Sequence, residues 1–259
     1  MEEIRALLEL KKISKSFSGV QALSQVSFQV MSGTITALIG PNGAGKSTAF
    51  NLISGLEKVS SGSIFFKSED ITSMEAYKRC GIGIGRTFQT PKIFTNMTAF
   101  ENVMVGLHSK TRSGILRSGF RLFGFRKEEA FIRDLALKEL QFLGLANDKD
   151  RIAGTLPFGN QRLLELARIL GTRSELILMD EPTAGLTPRE TESFAEKLHE
   201  LKSGGMTVVI VEHDLKFIIS IADKIIVLNH GQKIFDGSPN SVRDDSQVIE
   251  AYIGKKKQR

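Results

Sequence analysis

Residues 40–48 read GPNGAGKST, and this stretch carries the clearest chemistry in the chain. It fits the spacing G-x-x-x-x-G-K-[ST]. Gly40, Gly43 and Gly45 allow tight backbone turns, so that successive N–H groups converge on one anion. Pro41, Asn42, Ala44 and Thr48 complete the cradle. A helix opening near Lys46 adds its N-terminal partial positive charge. Lys46 can then reach the β- and γ-phosphates of a nucleotide, and the Ser47 hydroxyl can serve Mg²⁺. A metal-bound phosphate also needs acids nearby. Asp180 ends the apolar run LILMD, and Glu181 follows it. The first carboxylate can touch a metal-bound water, and the second can orient and deprotonate an attacking water. His213 ends another apolar run, TVVIVEH, where an imidazole can hydrogen-bond a γ-phosphate. A Gly-rich turn, a solvated acidic pair and a strand-end His are each ordinary when alone. Together they point to nucleotide binding and hydrolysis.

The elements around these residues must place them at one sheet edge. TITALIG leads into the glycine turn, and a helix is predicted from Lys46 to Ser54. LILMD, TVVIV and KIIVL are continuous apolar runs of strand length, as strands buried on both faces should be. Helical stretches predicted at about 188–203 and 214–222 separate them. Such alternation implies a parallel sheet with right-handed crossovers. Toward the N-terminus, LLELKKISKSF, VSFQV, GSIFFK and GIGRTFQ are further strand candidates. From about 91 to 145 strand signals vanish, and helices are predicted near 98–108 and 127–143. In the second, Ala130, Leu135, Leu137, Leu140 and Leu143 form a loose stripe. Residues 162–171 alternate Arg162, Glu165 and Arg168 with Leu163, Leu164, Ala167 and Leu170, an amphipathic helix.

Composition limits the alternatives. With 259 residues the chain is one large domain, or one domain with a substantial insert, and apolar residues at 41% supply a sizeable core. No apolar run approaches the ~18 residues of a membrane span. The opening MEEIRALLELKK lacks the features of a secretory signal. Cys80 is the single cysteine, so no intrachain disulfide can form. A cytoplasmic location is expected. The net charge of +6 is uneven: Lys110, Arg112, Arg117, Arg121, Arg126 and Lys127 fall in a run free of acids, with Phe120, Phe123 and Phe125 among them. Such a patch suits nucleic acid, an anionic membrane face or a partner protein, or is simply a solvated loop. No Asn-Lys-x-Asp motif for guanine occurs.

Taken together, the motifs resemble the ATP-binding cassette (ABC) ATPases, in that family's order and over nearly the whole chain. The resemblance implies a P-loop NTPase fold of the ABC type. It has an α/β parallel-sheet core, an N-terminal antiparallel β subdomain (with the core, about 1–90 and 172–259) and an inserted α-helical subdomain (about 91–171). It implies ATP and Mg²⁺ as ligands. Phe17 matches the aromatic that stacks on adenine, with Ala22 against the same base. Gln89 matches the residue linking Mg²⁺ and water to the helical subdomain, Asp180 and Glu181 the metal and catalytic acids, and His213 the switch histidine. AGLT (184–187) matches the loop between the two sites of a dimer. Leu156, Pro157, Phe158, Gly159, Asn160 and Gln161 match the signature, commonly Leu-Ser-Gly-Gly-Gln, which clamps the ATP held by a second cassette.

In this signature Pro157 replaces the Ser and Phe158 the first Gly, while Gly159 stays and Asn160 keeps an amide. Loss of the hydroxyl contact removes about 1.5–3 kcal/mol. Pro ahead of a helix is well tolerated, and the helix terminus still faces the phosphate. A variant rather than a dead signature follows. A similar departure marks the importer ATPases for branched-chain amino acids and for urea or amides. The segments GIGRTFQTPKIFTNMTAFENVMVG, AGLTP and VIEAYIG also resemble that subgroup, with Thr187 in place of its Asn. The implied function is ATP hydrolysis driving import of a small polar solute, foremost branched-chain amino acids. The alternatives are the ATPase subunit of a lipid or lipopolysaccharide exporter and that of a urea or amide importer. The implied partners are a second cassette, identical or paralogous, two transmembrane permease subunits and, indirectly, a solute-binding protein, with no nucleic acid. The place is peripheral, on the cytoplasmic face of the inner membrane.

Overall fold

The computed structural model describes residues 6–108 and 123–253. The side chains of the basic–aromatic patch at 110–127 lie outside the described residues, as does the KKKQR tail. The N-terminal half runs β1 (Ala6–Phe17), β2 (Val20–Met31), β3 (Ile35–Ile39), α1 (Lys46–Ser54), β4 (Ser61–Phe66), β5 (Glu69–Asp70), α2 (Ala76–Ile82), β6 (Ile84–Arg86) and α3 (Ala99–His108). It continues with α4 (Phe123–Phe142), two short 3₁₀ turns, α5 (Phe158–Gly171), β7 (Leu176–Asp180), α6 (Pro188–Ser203) and β8 (Thr207–Val211). The chain closes with α7 (Leu215–Ile221), β9 (Lys224–Asn229), β10 (Gln232–Gly237) and α8 (Ser246–Ile253).

Two sheets organise these elements. A four-stranded sheet, ordered β2-β1-β4-β5, is antiparallel throughout. A six-stranded sheet, ordered β10-β9-β3-β8-β7-β6, is parallel except for the β9–β10 hairpin. The continuous apolar strands explain themselves here. In β7, Ile177 and Met179 enter one core, while Leu176 and Leu178 enter a second. β8 divides likewise, with Val208 and Ile210 on one face and Val209 and Val211 on the other. A strand with a core on each side has no face left for polar residues, so period-2 alternation disappears. The first core joins the parallel sheet to the helices α3 to α7. The second lies between that sheet, α1 and the antiparallel sheet. The carboxyl ends of β3, β7 and β8 meet along one edge.

The predicted helix at Lys46–Ser54 is found with those bounds. Helix α6 begins as its sequence dictates: Thr187 accepts from the Glu190 amide, Glu190 answers to the Thr187 amide, and Pro188 occupies the first turn. Two expectations needed change. The amphipathic segment read as 162–171 starts four residues earlier, at Phe158, with Pro157 as its N-cap. In α4 the buried stripe is Ile132, Ala136 and Leu140, continued by Leu143 just past its end, whereas Leu137 is exposed. The spacing i, i+4, i+8 selects one face, and Leu137 lies off it. Elements β5, α2, β10 and α8 had no sequence expectation. Among the described residues no helix is long and apolar enough to cross a membrane.

Candidate functional site

The turn at 40–48 joins β3 to α1, and three of its glycines have positive φ: Gly40 (150°), Gly43 (78°) and Gly45 (101°). Close packing adds a second constraint. A Cβ on Gly40 would lie 2.1 Å from the Leu228 carbonyl oxygen, and one on Gly45 would lie 2.7 Å from that of Ala22. Ala22 is therefore drawn against the glycine turn, while Phe17 at the end of β1 stays exposed, under the Lys15 ammonium at 4.7 Å. Helix α1 has no side-chain N-cap and no acid in its first turn. Its N-terminal field therefore faces the turn uncancelled. Ser47 is exposed at its opening, Thr48 half-buried and Ala44 buried, while Pro41 and Asn42 form the outer rim.

Lys46 is buried, and its Nζ donates to the carbonyls of Gly40 at 2.7 Å and Pro41 at 3.0 Å. Burial lowers its pKa from the usual lysine range, and the nearby carboxylates of Glu181 and Asp180 push it back up. The ammonium and the two acids thus share one electrostatic neighbourhood. Tyr252 on α8 also reaches the turn: burial raises its phenol pKa, opposed by a hydrogen bond from the Gly40 backbone.

The acids stand at the carboxyl end of β7. Asp180 is gripped by Arg86, whose Nη2 lies 3.1 Å from Oδ2. The other arm of that guanidinium donates to Asn51 and Ser54 on α1, at 2.8 Å each. Burial lowers the Arg86 pKa, with Asp180 holding it up. Glu181 has a left-handed backbone, with φ at 46°, an unusual conformation for a residue other than Gly. Two side chains converge on its carboxylate: Gln89 Nε2 donates to Oε2 at 2.9 Å, and His213 Nε2 meets Oε1 at 2.9 Å. Residues from three distant stretches of sequence, at the ends of β6, β7 and β8, form this cluster.

Glu212 supports it from behind. Its Oε1 accepts from the Thr183 amide at 2.8 Å and the Thr183 hydroxyl at 2.6 Å, while Oε2 accepts from the His213 amide at 3.0 Å. It is buried, yet its charge is fully used as an acceptor. Sequence reasoning missed Arg86, Glu212 and the buried Arg162. A signal existed for each: a charge inside an otherwise apolar strand-sized run, or on the apolar flank of a helix, needs a partner.

The segment 156–161 opens α5. Leu156 is buried, Pro157 and Phe158 are exposed, and the helix has no acid in its first turn. Asn160 turns inward to Asp148 at 3.2 Å, and Gln161 to the Leu156 carbonyl at 2.9 Å. The α5 terminus therefore presents backbone N–H groups flanked by a proline and an aromatic ring.

Comparison with known proteins agrees with this architecture. Residues 23–184 match the family model described as ABC transporter, and residues 232–257 match that of the branched-chain amino acid ATP-binding cassette transporter. The chain is 38% identical to the high-affinity branched-chain amino acid transport ATP-binding protein BraF of Pseudomonas aeruginosa, over 96% of this chain and 98% of that one. It is also 38% identical to the probable branched-chain amino acid transport ATP-binding protein LivG of Methanocaldococcus jannaschii, over 98% and 100%. Among solved structures, the ADP conformation of an ATP-binding cassette of an ABC transporter superposes with a TM-score of 0.83 at 38% identity, covering 97% of this chain and 100% of that one. A dimeric post-hydrolysis cassette bound to ADP and Pi gives a TM-score of 0.76 at 26% identity, over 90% and 98%. By fold, by the extent of the matching model and by these relatives, the chain belongs to the ABC transporter family as an ATP-binding cassette, an ATPase coupled to transport.

Proposed function

We propose that this cassette hydrolyses ATP to drive import of branched-chain amino acids, working at the cytoplasmic face of the membrane with a second cassette and two permease subunits. The observation that carries the catalytic part is the convergence of Gln89 and His213 on Glu181, beside the buried Lys46. In this reading Phe17 and Ala22 take the adenine, and residues 40–48 take the phosphates. Lys46 exchanges its two carbonyl partners for phosphate oxygens as ATP enters. Glu181 orients the attacking water and accepts its proton. His213 and Gln89 fix the carboxylate from both sides, so little reorganisation accompanies the reaction. Leu156 to Gln161 offer the α5 terminus to the ATP of the partner cassette, where N–H groups and the helix field replace the missing Ser hydroxyl.

Ser47 and Asp180 are the side chains that would hold Mg²⁺, with Gln89 as a third. One hydroxyl, one carboxylate and one amide suit a hard cation that keeps waters and binds chiefly through substrate phosphates. Bound there, the ion would neutralise charge on the β- and γ-phosphates. Branched-chain amino acids as the solute rest on the names of the relatives and on the match at the C-terminus. A groove of about 320 Å³ between α2, β6, α3 and α5, lined by Leu56, Cys80, Phe88, Phe94 and Val105, is the proposed seat of the permease. It would join the core and β subdomain to the helical subdomain at about 91–171.

Glu181→Gln tests the assignment. Gln keeps the shape of the side chain and can serve both neighbours, so the fold and ATP affinity should persist. Turnover should fall by about 10²–10⁴-fold or more with the base gone. Turnover at the parental rate would remove Glu181 from its role.

A further inference from the structure

We propose that Arg162 is a positioning residue that ties three functional segments of this chain into one moving body: the strap at Gln89, the loop at 184–187 and the opening turn of α5. The inference rests on the reading just given and adds to it a route by which occupancy of one nucleotide site reaches the elements that this chain lends to the other.

One guanidinium makes all three connections. Its Nη2 donates to the Gln89 carbonyl at 2.8 Å and to the Ala184 carbonyl at 3.0 Å. Its Cζ lies 5.3 Å from the centre of the Phe158 ring. Arg162 is buried, and its Nε has no hydrogen-bond partner among the described residues. A buried donor left unsatisfied is costly, so the geometry of the other arm is being held at the expense of this one. Glu165 and Arg168, each one turn further along α5, extend the grip. Glu165 accepts from the Lys92 amide at 2.8 Å, and Arg168 donates to the Lys92 carbonyl. The strap at 89–92 is thus fastened to α5 at both ends by side chains of a single helix face.

Phe158 accounts for the altered signature in the same terms. A Cβ on Gly185, whose φ is 82°, would lie 3.1 Å from the Phe158 ring edge. The ring packs on the bare backbone of the 184–187 loop, under the guanidinium that bonds the neighbouring carbonyl. Where Gly would leave that turn of α5 free of the loop, Phe158 fastens the two together. Gln89 itself donates to Glu181, so any nucleotide-driven shift of the strap is felt by Arg162 and passed to both Ala184 and Phe158. Arg162 spans the strap, the loop and the helix opening.

Hydrogen exchange on the full chain, with and without Mg²⁺ and a non-hydrolysable ATP analogue, tests this. In the parent, peptides covering 40–48, 87–92, 156–162 and 184–187 should all slow, with the same dependence on nucleotide concentration. In Arg162→Gln, protection at 40–48 should persist, whereas the nucleotide response at 156–162 and 184–187 should fall at least threefold. Arg162→Lys, able to reach one carbonyl at a time, should recover part of it. Assembled with the permease, Arg162→Gln should lower kcat about tenfold and leave KM for ATP within about twofold. Absence of any response at 184–187 in the parent, or an unchanged response in Arg162→Gln, overturns the proposal without need of the remaining arms. Should Arg162→Gln not fold, Arg162→Lys and the parent comparison decide. Failure of the parent to protect 40–48 would instead strike the ATP-binding reading on which the inference stands.

Discussion

Arg79 is among the largest fully buried side chains of the structure, and no carboxylate among the described residues pairs with it. Its guanidinium donates five hydrogen bonds, all to backbone carbonyls. They run to Leu52 at 2.6 Å and Ile53 at 2.8 Å, to Ile71 at 2.7 Å and Thr72 at 3.1 Å, and to Met74 at 2.9 Å. Leu52 and Ile53 lie in the last turn of α1, whose carbonyls have no partners within the helix. Arg79 therefore caps from afar the helix that begins at Lys46, and its positive charge complements the negative helix end. Burial lowers its pKa to about 10, a desolvation cost of a few kcal/mol. Charge-assisted bonds to carbonyls return ~1.5–3 kcal/mol apiece, though not additively. Arg79→Met keeps the volume but leaves the Ile53, Thr72 and Met74 carbonyls without this donor, while those of Leu52 and Ile71 keep the Gly55 and Met74 amides. The net loss should be about 3–5 kcal/mol, a large part of the ~5–15 kcal/mol that a domain has. In melting temperature this corresponds to a drop of about 10 °C. Urea titration of parent and variant measures it directly, and Arg79→Lys should recover little, because one ammonium cannot span both turns. A loss under about 1 kcal/mol would show that this cation is not what holds the end of α1.

Two further outcomes follow from the charges near the site. Arg86→Met leaves the Asp180 carboxylate without its partner in a largely buried setting and should cost about 3 kcal/mol in urea unfolding; adding Asp180→Asn should restore much of that, and strict additivity of the two changes would disprove the coupling. Burial raises the pKa of Glu165, against the hydrogen bonds from Lys92 and Phe88. The folded state then favours the protonated form, so the stability that this group contributes is full below the ordinary carboxylate range and declines as pH rises through the raised value. Glu165→Gln, which keeps an acceptor for the Lys92 amide, should gain stability relative to the parent between pH 4 and pH 8; a difference independent of pH would refute it.

Much of the fold and part of the site are legible in the residues because the signals are local. The glycine turn, the helix at Lys46–Ser54 and the capping box at Thr187–Glu190 depend on backbone conformation and on neighbours within one turn. The buried strands announce themselves because a strand covered on both faces has only apolar positions. Pro157 as an N-cap and the retained Gly159 can likewise be weighed from chemistry alone. Other features betray a buried charge in the sequence but not its partner: that Arg79 and Arg86 bond to α1, and Glu212 to Thr183, is written in no neighbouring residue.

Sequence by itself determined which chemical groups are available: a glycine-rich turn before a helix, an acid pair after a buried strand, a histidine after the next, and an aromatic where the first glycine of the signature is usual. The tertiary structure alone decided which of them meet. Glu181 finds Gln89 and His213 because β6, β7 and β8 run side by side in the parallel sheet and end at the same edge. Arg162 finds Gln89 and Ala184 because α5 lies across the strap and the loop together. Contacts of this kind join positions tens of residues apart, and their geometry is set by strand order and helix packing, neither of which is written in any single stretch of chain.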